Sequence, residues 1–281
     1  MTSFVILWGC LFLAYGPSVA LLLIYISKRS ALLVLSVFSA FVWLISILIT
    51  SLFWLVASPS LQKAHLYAII ISVIIQELMR YGLLYLYTRV IDAAETMERK
   101  KRDRILALAL SGQFVRKPKK EAPLSNDFEA AIGAGVGYGL MHTVMMYGGV
   151  ISASSDLQGW YRSQCPTLNA FAASAATALL YNLIHLPLMI IALDAYRRWN
   201  LKRAIIPLLL HLTFAISSTL QEGSLGKSGC DWTFPALAFI AIITVCIALA
   251  LTSFNDYAPK VQIKRSLEEE KTFYDQFDKT E

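Results

Sequence analysis

Charge is scarce in this chain. Only 16% of its 281 residues are Asp, Glu, Lys or Arg, whereas a soluble domain of that size carries about 25%. With 57% hydrophobic residues and a mean hydropathy of +0.56, a soluble enzyme built around one large core is excluded. Apolar–polar alternation is missing as well. The apolar runs are continuous, which excludes a transmembrane β-barrel. No basic residue precedes the first run, and that run exceeds a signal-peptide core, so an uncleaved anchor is expected. Asn-x-Ser/Thr sequons and a C-terminal prenylation motif are absent, so neither glycan nor prenyl chain is implied.

What is present is a series of apolar runs, each near the roughly 20 residues that cross a bilayer. They are Phe4–Ile26, Ala31–Ala57, His65–Tyr87, Ala130–Ile151, Ala170–Leu193, Ala204–Leu220 and Phe234–Phe254. Backbone groups in lipid need partners within the segment, so the runs are helices. The expected fold is an all-α polytopic membrane protein with seven transmembrane helices. Basic residues then sort to one side: Lys28 and Arg29, ten in 89–120, four in 197–203 and five in the tail. The other side receives Lys63, Arg162 and Lys227. The positive-inside rule puts the N-terminus outside and the C-terminus in the cytosol. The net charge of +6 is topology information and attraction to anionic membrane lipid, and calls for no nucleic acid. Trp8, Trp54, Trp160, Trp199 and Trp232 fall at span ends, as in an aromatic belt.

A single membrane domain, 1–254, is therefore expected, with a cytosolic tail, 255–281. One long cytoplasmic connection, Ile91–Glu129, interrupts it with "ERKKRDR", "ILALAL" and "RKPKK". It reads as a solvated, partly helical loop resting on anionic headgroups. Cys165 and Cys230 lie in external loops, where they are either bridged in an oxidising compartment or free thiols.

Polar residues inside the spans carry the functional question. The third span reads "VIIQELMRYGLLYLY", with Gln76, Glu77 and Arg80 in its middle. Glu77 and Arg80 are three apart, hence on one helix face. Each costs about 2.5–3.5 kcal/mol at a helix centre in lipid, so both should face protein or a water-filled cavity. His185, with Asn182 one turn before it, and His211 are the other mid-span polar residues expected to join them. Two histidines and a carboxylate are common zinc ligands, so one reading is an intramembrane hydrolytic site. The other is a hydrogen-bonded network of Gln76, Glu77, Arg80, Asn182, His185 and His211 that fixes helix packing.

The fourth span, "AAIGAGVGYGLMHTVMMYGG", supplies a second signal. Gly135 and Gly139 are four apart, and Thr143 extends the same small-residue strip. Gly133 and Gly137 form a second pair, expected on a neighbouring face. Such rows let helix backbones approach closely and mark a contact surface for helix packing or subunit assembly. His142 lies beside the strip as a polar contact.

The opening "GCLFLAYGPSVALLL", the third-span "QELMRY", the Gly135–Gly139 strip, "LIHLPLMIIALDAYRR" and "LLLHLTFAISS" occur in the order and spacing of one known family. From the first span to the seventh, the chain resembles the anterior-pharynx-defective family, the seven-span scaffold subunit of gamma-secretase. The resemblance implies a non-catalytic subunit that stabilises presenilin and nicastrin, together with the presenilin-enhancer subunit. On that resemblance the subunit would support cleavage of type I membrane proteins such as Notch and the amyloid precursor. The resemblance also implies residence in the endoplasmic reticulum, Golgi, endosomes and plasma membrane, with no cofactor, no metal and no catalytic residue. The family's glycine strip maps to Gly135 and Gly139, its third glycine is Thr143 here, and its intramembrane histidines map to His185 and His211.

A fainter likeness sustains the enzyme reading. Prenyl-protein endopeptidases use Glu-Glu-x-x-x-Arg, Phe/Tyr-x-x-x-His and a later His; here one finds Gln76-Glu77-x-x-Arg80, Tyr181-x-x-x-His185 and His211. On that alternative Glu77, His185 and His211 would form the site. Glutamine in place of the first glutamate removes a candidate base, because an amide accepts no proton near neutrality. A rhodopsin-like receptor is rejected: two residues separate Glu77 from Arg80, and the last span lacks Asn-Pro-x-x-Tyr.

Overall fold

The computed structural model describes residues 4–110, 127–152, 161–162, 165–198, 200–219 and 229–254. The tail 255–281, residues 111–126 of the long connection, Trp160, Trp199 and Lys227 lie outside the described residues. The chain divides into two compact units, Met1–Leu84 with Ser125–Ala248, and Tyr85–Leu124 with Leu249–Glu281.

Helices dominate. In chain order they are α1 (Phe4–Ile24), α2 (Ser30–Val56), the short α3 (Pro59–Gln62), α4 (His65–Leu110), α5 (Asp127–Ser152), α6 (Ala170–Arg197), α7 (Leu201–Ser218) and α8 (Gly229–Phe254). A 3-10 turn, Ile26–Lys28, links α1 to α2. Among the described residues, six helices are long and apolar enough to cross a membrane. Their outward faces carry large apolar residues such as Val34, Phe41, Leu48 and Leu52, a surface compatible with lipid rather than water. The chain is an all-α polytopic membrane protein in this sense. At 26 residues, about 39 Å, α5 is long enough to span but is not one of these six; glycine takes six of its positions.

Two departures from the sequence reading are instructive. The third run was expected to end at Tyr87, yet α4 continues to Leu110. Between Gly82 and Leu110 there is neither Gly nor Pro, and Glu95/Arg99 and Glu98/Arg102 are favourable i,i+4 pairs, so the helix persists into a charged sequence. A small antiparallel pair of strands, β1 (Tyr161–Arg162) and β2 (Cys165–Asn169), also precedes α6. Asn169 then caps α6, its side chain accepting from the Ala172 N–H at 2.7 Å.

Within the first unit, α5 is the central helix, packed most extensively on α6 and α2. Tyr147 and Phe171 close one apolar cluster with Cys10 and Ala14 of α1. Tyr181, Ile184 and Leu188 of α6 close another with Phe214 and Leu237. At one end of α6, Cys165 and Cys230 form a disulfide with Cα atoms 5.2 Å apart, joining β2 to the start of α8. At its other end ion pairs take over. Arg197 meets Asp127 of α5 at 2.8 Å, Arg29 at the start of α2 pairs with Glu129, and Asp194 binds both Arg198 and Arg203 at 2.8 Å. Trp8, Trp54 and Trp232 are exposed near helix ends, as expected of belt residues.

Candidate functional site

The glycines of α5 explain how the bundle closes. A Cβ at Gly135 would lie 2.8 Å from the Leu186 Cα, and one at Gly139 would lie 2.7 Å from the Asn182 Oδ1 and 2.8 Å from its carbonyl oxygen. Both face α6. Thr143 continues the strip by donating to the Ala178 carbonyl of α6 at 3.3 Å, while also bonding the Gly139 carbonyl at 3.1 Å. Gly133 and Gly137 instead face α2: a Cβ at Gly133 would stand 3.3 Å from the Leu32 carbonyl, and one at Gly137 would overlap the Ser36 carbonyl. The two glycine pairs therefore serve opposite sides of α5, not neighbouring ones, since two residues along a helix turn it by about 200°. Each side is filled by a helix of this same chain, so in this structure neither glycine row is an open surface for a partner.

Backbone contact at this range brings polar residues of four helices, α4, α5, α6 and α7, together. On α4, Glu77 Oε1 accepts from His211 Nδ1 of α7 at 2.7 Å and lies 3.3 Å from Arg80 Nη2. Arg80 Nη2 is 3.0 Å from His185 Nδ1 of α6, and its guanidinium sits 5.0 Å from the ring centre of Tyr138 of α5. His185 Nε2 is 2.6 Å from His142 Nδ1, and His142 Nε2 is 2.7 Å from Met146 Sδ. Glu77, Arg80, His142, His185 and His211 are all buried, with Arg80 and His185 at 0% exposure.

The donors and acceptors settle the direction of this chain. A guanidinium only donates, so His185 Nδ1 accepts and its Nε2 carries the hydrogen. That N–H must then donate to His142 Nδ1, whose Nε2–H points at Met146. His185 and His142 are consequently neutral, each in the Nε2–H form, with every bond directed away from the Arg80 cation. Arg80 is in turn neutralised by Glu77. A lone buried charge would cost several kcal/mol, and an ion pair is how an intramembrane segment tolerates it; Glu77 Oε2 and Arg80 Nε and Nη1 are nonetheless left without a hydrogen-bond partner among the described residues.

The remaining expected members are placed differently. Gln76 touches the network's edge: its side chain accepts from Trp43 Nε1 at 3.3 Å and donates to Ser72 at 2.9 Å, and its carbonyl accepts from the Tyr138 hydroxyl at 2.6 Å. Asn182 belongs elsewhere. Its Oδ1 accepts from Ser18 of α1 at 2.7 Å, against Gly139, and it borders an apolar groove of about 460 Å³ between α1, α6 and α8. One turn separates Asn182 from His185, but the ring of His185 reaches toward α4 and the amide toward α1. His142 is the member that sequence reasoning underrated. It links His185 to Met146, stacks on Trp43 at 4.9 Å and lies 4.5 Å from the Tyr181 ring. Its signal was available: His142 is three residues from Gly139 and therefore on nearly the same side as the strip that meets α6.

Chemically, the arrangement holds charge still. Both ring nitrogens of His185 are engaged, and Glu77 Oε1 already serves two partners. The fold and the core define a polytopic helical membrane protein with a buried polar centre. The family described as Aph-1 protein matches residues 5–254, and the chain belongs to that family. A "Gamma-secretase subunit APH1-like" protein of Arabidopsis thaliana is 27% identical over 242 residues, covering 84% of this chain and 88% of that protein. The "Gamma-secretase subunit APH-1B" of Homo sapiens is 25% identical over 225 residues, covering 77% and 79%. A shorter match, 36% over 74 residues, joins 26% of this chain to 30% of the Drosophila melanogaster "Gamma-secretase subunit Aph-1". The chain is thus a membrane-embedded member of a family of gamma-secretase subunits.

Proposed function

We propose that this chain is the non-catalytic scaffold subunit of a gamma-secretase complex. It holds presenilin and nicastrin together, with the presenilin-enhancer subunit, and so supports cleavage of type I membrane proteins such as Notch and the amyloid precursor. In this reading α5, fourth in chain order, crosses the membrane as well and brings the spans to seven, with the N-terminus outside and the C-terminus cytosolic. The protein then resides in the endoplasmic reticulum, Golgi, endosomes and plasma membrane. The family match across 5–254 carries the proposal. The core supports it, because Glu77, His185 and His211 are buried among side chains that already occupy their polar atoms on one side or both. Gly135, Gly139 and Thr143, and Gly133 and Gly137, act on assembly through the fold: they set the positions of α6 and α2, whose outer faces partners would read.

The test is affinity isolation of the tagged chain in mild detergent, with mass spectrometry and metal analysis of the same sample. Presenilin, nicastrin and the enhancer subunit should co-purify in near-equal amounts. A solitary chain that carries zinc or cleaves prenylated peptides would reverse the reading and make Glu77, His185 and His211 a hydrolytic site.

A further inference from the structure

The 85–110 part of α4 has two unlike faces. At 3.6 residues per turn, Val90, Met97, Lys100 and Arg104 fall within an arc of about 80°. All four are exposed, Val90 at 65% and Met97 at 71%. No acidic residue lies on that arc. The four acids of this stretch, Asp92, Glu95, Glu98 and Asp103, occupy the opposite side, where Arg99 and Arg102 stand among them. A helix whose charges merely kept it soluble would intersperse the signs around its circumference. This one keeps its acids together with two arginines and leaves a basic, apolar face.

We infer that this face docks the acidic C-terminal segment of the same chain, 267–281. That segment, "LEEEKTFYDQFDKTE", contains six acidic residues against two lysines and carries Phe273 and Phe277 among them. Its carboxylates complement Lys100 and Arg104, and its aromatic side chains supply apolar surface for Val90 and Met97. The chain connection makes this occupant favourable. Residues 249–254 of α8 belong to the same compact unit as 85–110, so the segment starts from the unit that bears the face. Residues 255–267, extended, reach about 45 Å, and the face from Val90 to Arg104 covers about 21 Å. A tether of that length gives an effective concentration in the mM range, so a contact too weak to hold a separate partner is occupied within one molecule. The contact is electrostatic and exposed, and so is screened by salt, with a Debye length of about 8 Å at physiological ionic strength.

Cross-linking of the full-length protein in neutral lipid discs tests this. In a Cys246→Ser background, Met97→Cys with Phe273→Cys is treated with a short bismaleimide, and the intramolecular product is read by mass spectrometry. It should exceed the product from Glu95→Cys with Phe273→Cys by about fivefold, since tethering alone serves both faces equally. Lys100→Glu with Arg104→Glu should bring it down to that control, and adding Glu268→Lys, Glu269→Lys and Glu270→Lys should restore it. Equal products from the two faces, or no restoration by the charge exchange, overturn the inference. So does a product lost when phosphatidylserine is added to the disc, which would give the face to the bilayer.

Discussion

Gly139 and Asn182 meet with no space for a methyl group between them: a Cβ on Gly139 would come within 2.8 Å of the Asn182 carbonyl oxygen. A backbone atom in the middle of α6 cannot rotate away, so α5 itself would have to move. Because α5 carries Tyr138 and His142, that movement would also pull the polar core apart.

The first prediction follows directly. Gly139→Ala should destabilise the detergent-solubilised protein by about 1–3 kcal/mol, the range for overpacking a close contact, and Gly139→Leu should lose more and recover fewer partner subunits. Gly148 lies on the same helix with nothing within 4 Å of a Cβ. There Gly→Ala should be neutral or stabilising by up to about 1 kcal/mol through helix propensity alone. Thermal unfolding followed by fluorescence-detected size exclusion compares the two; equal losses at both positions would show that close approach is not what Gly139 provides.

A second prediction concerns Arg80, which is fully buried between Glu77 and His185. Arg80→Met removes the cation and leaves a buried carboxylate, and breaking such a pair from one side costs about 3–5 kcal/mol. Adding Glu77→Gln should recover part of that loss, because the uncompensated charge disappears. A double variant less stable than Arg80→Met would mean that Glu77 contributes through His211 more than through Arg80.

The apolar runs were legible because a bilayer imposes a length, and the described helices start within a few residues of where those runs begin. The end of α4 was not legible that way: hydropathy marks where lipid stops, whereas a helix stops where its propensity and capping change. The glycine strip was readable as a contact surface, but which helices it meets depends on the tertiary arrangement, and only the structure assigns one pair to α2 and the other to α6. The core was partly readable. Gln76, Glu77, Arg80, His185 and His211 stand out as polar residues in apolar runs, while Asn182 looked like a further member only because spacing along one helix does not say which neighbour a side chain reaches. His142, the residue that completes the chain, lay in a stretch whose glycines drew attention to packing instead.

A third prediction tests the direction of the hydrogen bonds. With ring nitrogens labelled by 15N-histidine, His185 and His142 should both show the neutral Nε2–H form, because Arg80 can only donate to His185 Nδ1. His142→Phe keeps a ring against Trp43 but leaves the His185 N–H without an acceptor, which should cost about 1–3 kcal/mol. A doubly protonated His185 would contradict the donation from Arg80 and require the guanidinium to turn elsewhere.

The last prediction concerns the bridge at the far end of α6. Cys165 and Cys230 are 65 residues apart, and closing a random coil of that length is worth about 4 kcal/mol. The true effect should be smaller, because α6 and α7 lie inside the loop and persist as helices in lipid, leaving less freedom for the bridge to remove. Replacing both cysteines by serine should therefore lower the thermal midpoint modestly while leaving membrane insertion intact. Thiol counting on denatured protein from secretory membranes provides the decisive number. Cys10 and Cys246 are free, so a maleimide should add to two cysteines before reduction and to all four afterwards. Four additions without reductant would mean that this end of the bundle is held by β2 and the α6 cap alone, and would also count against its exposure to an oxidising compartment.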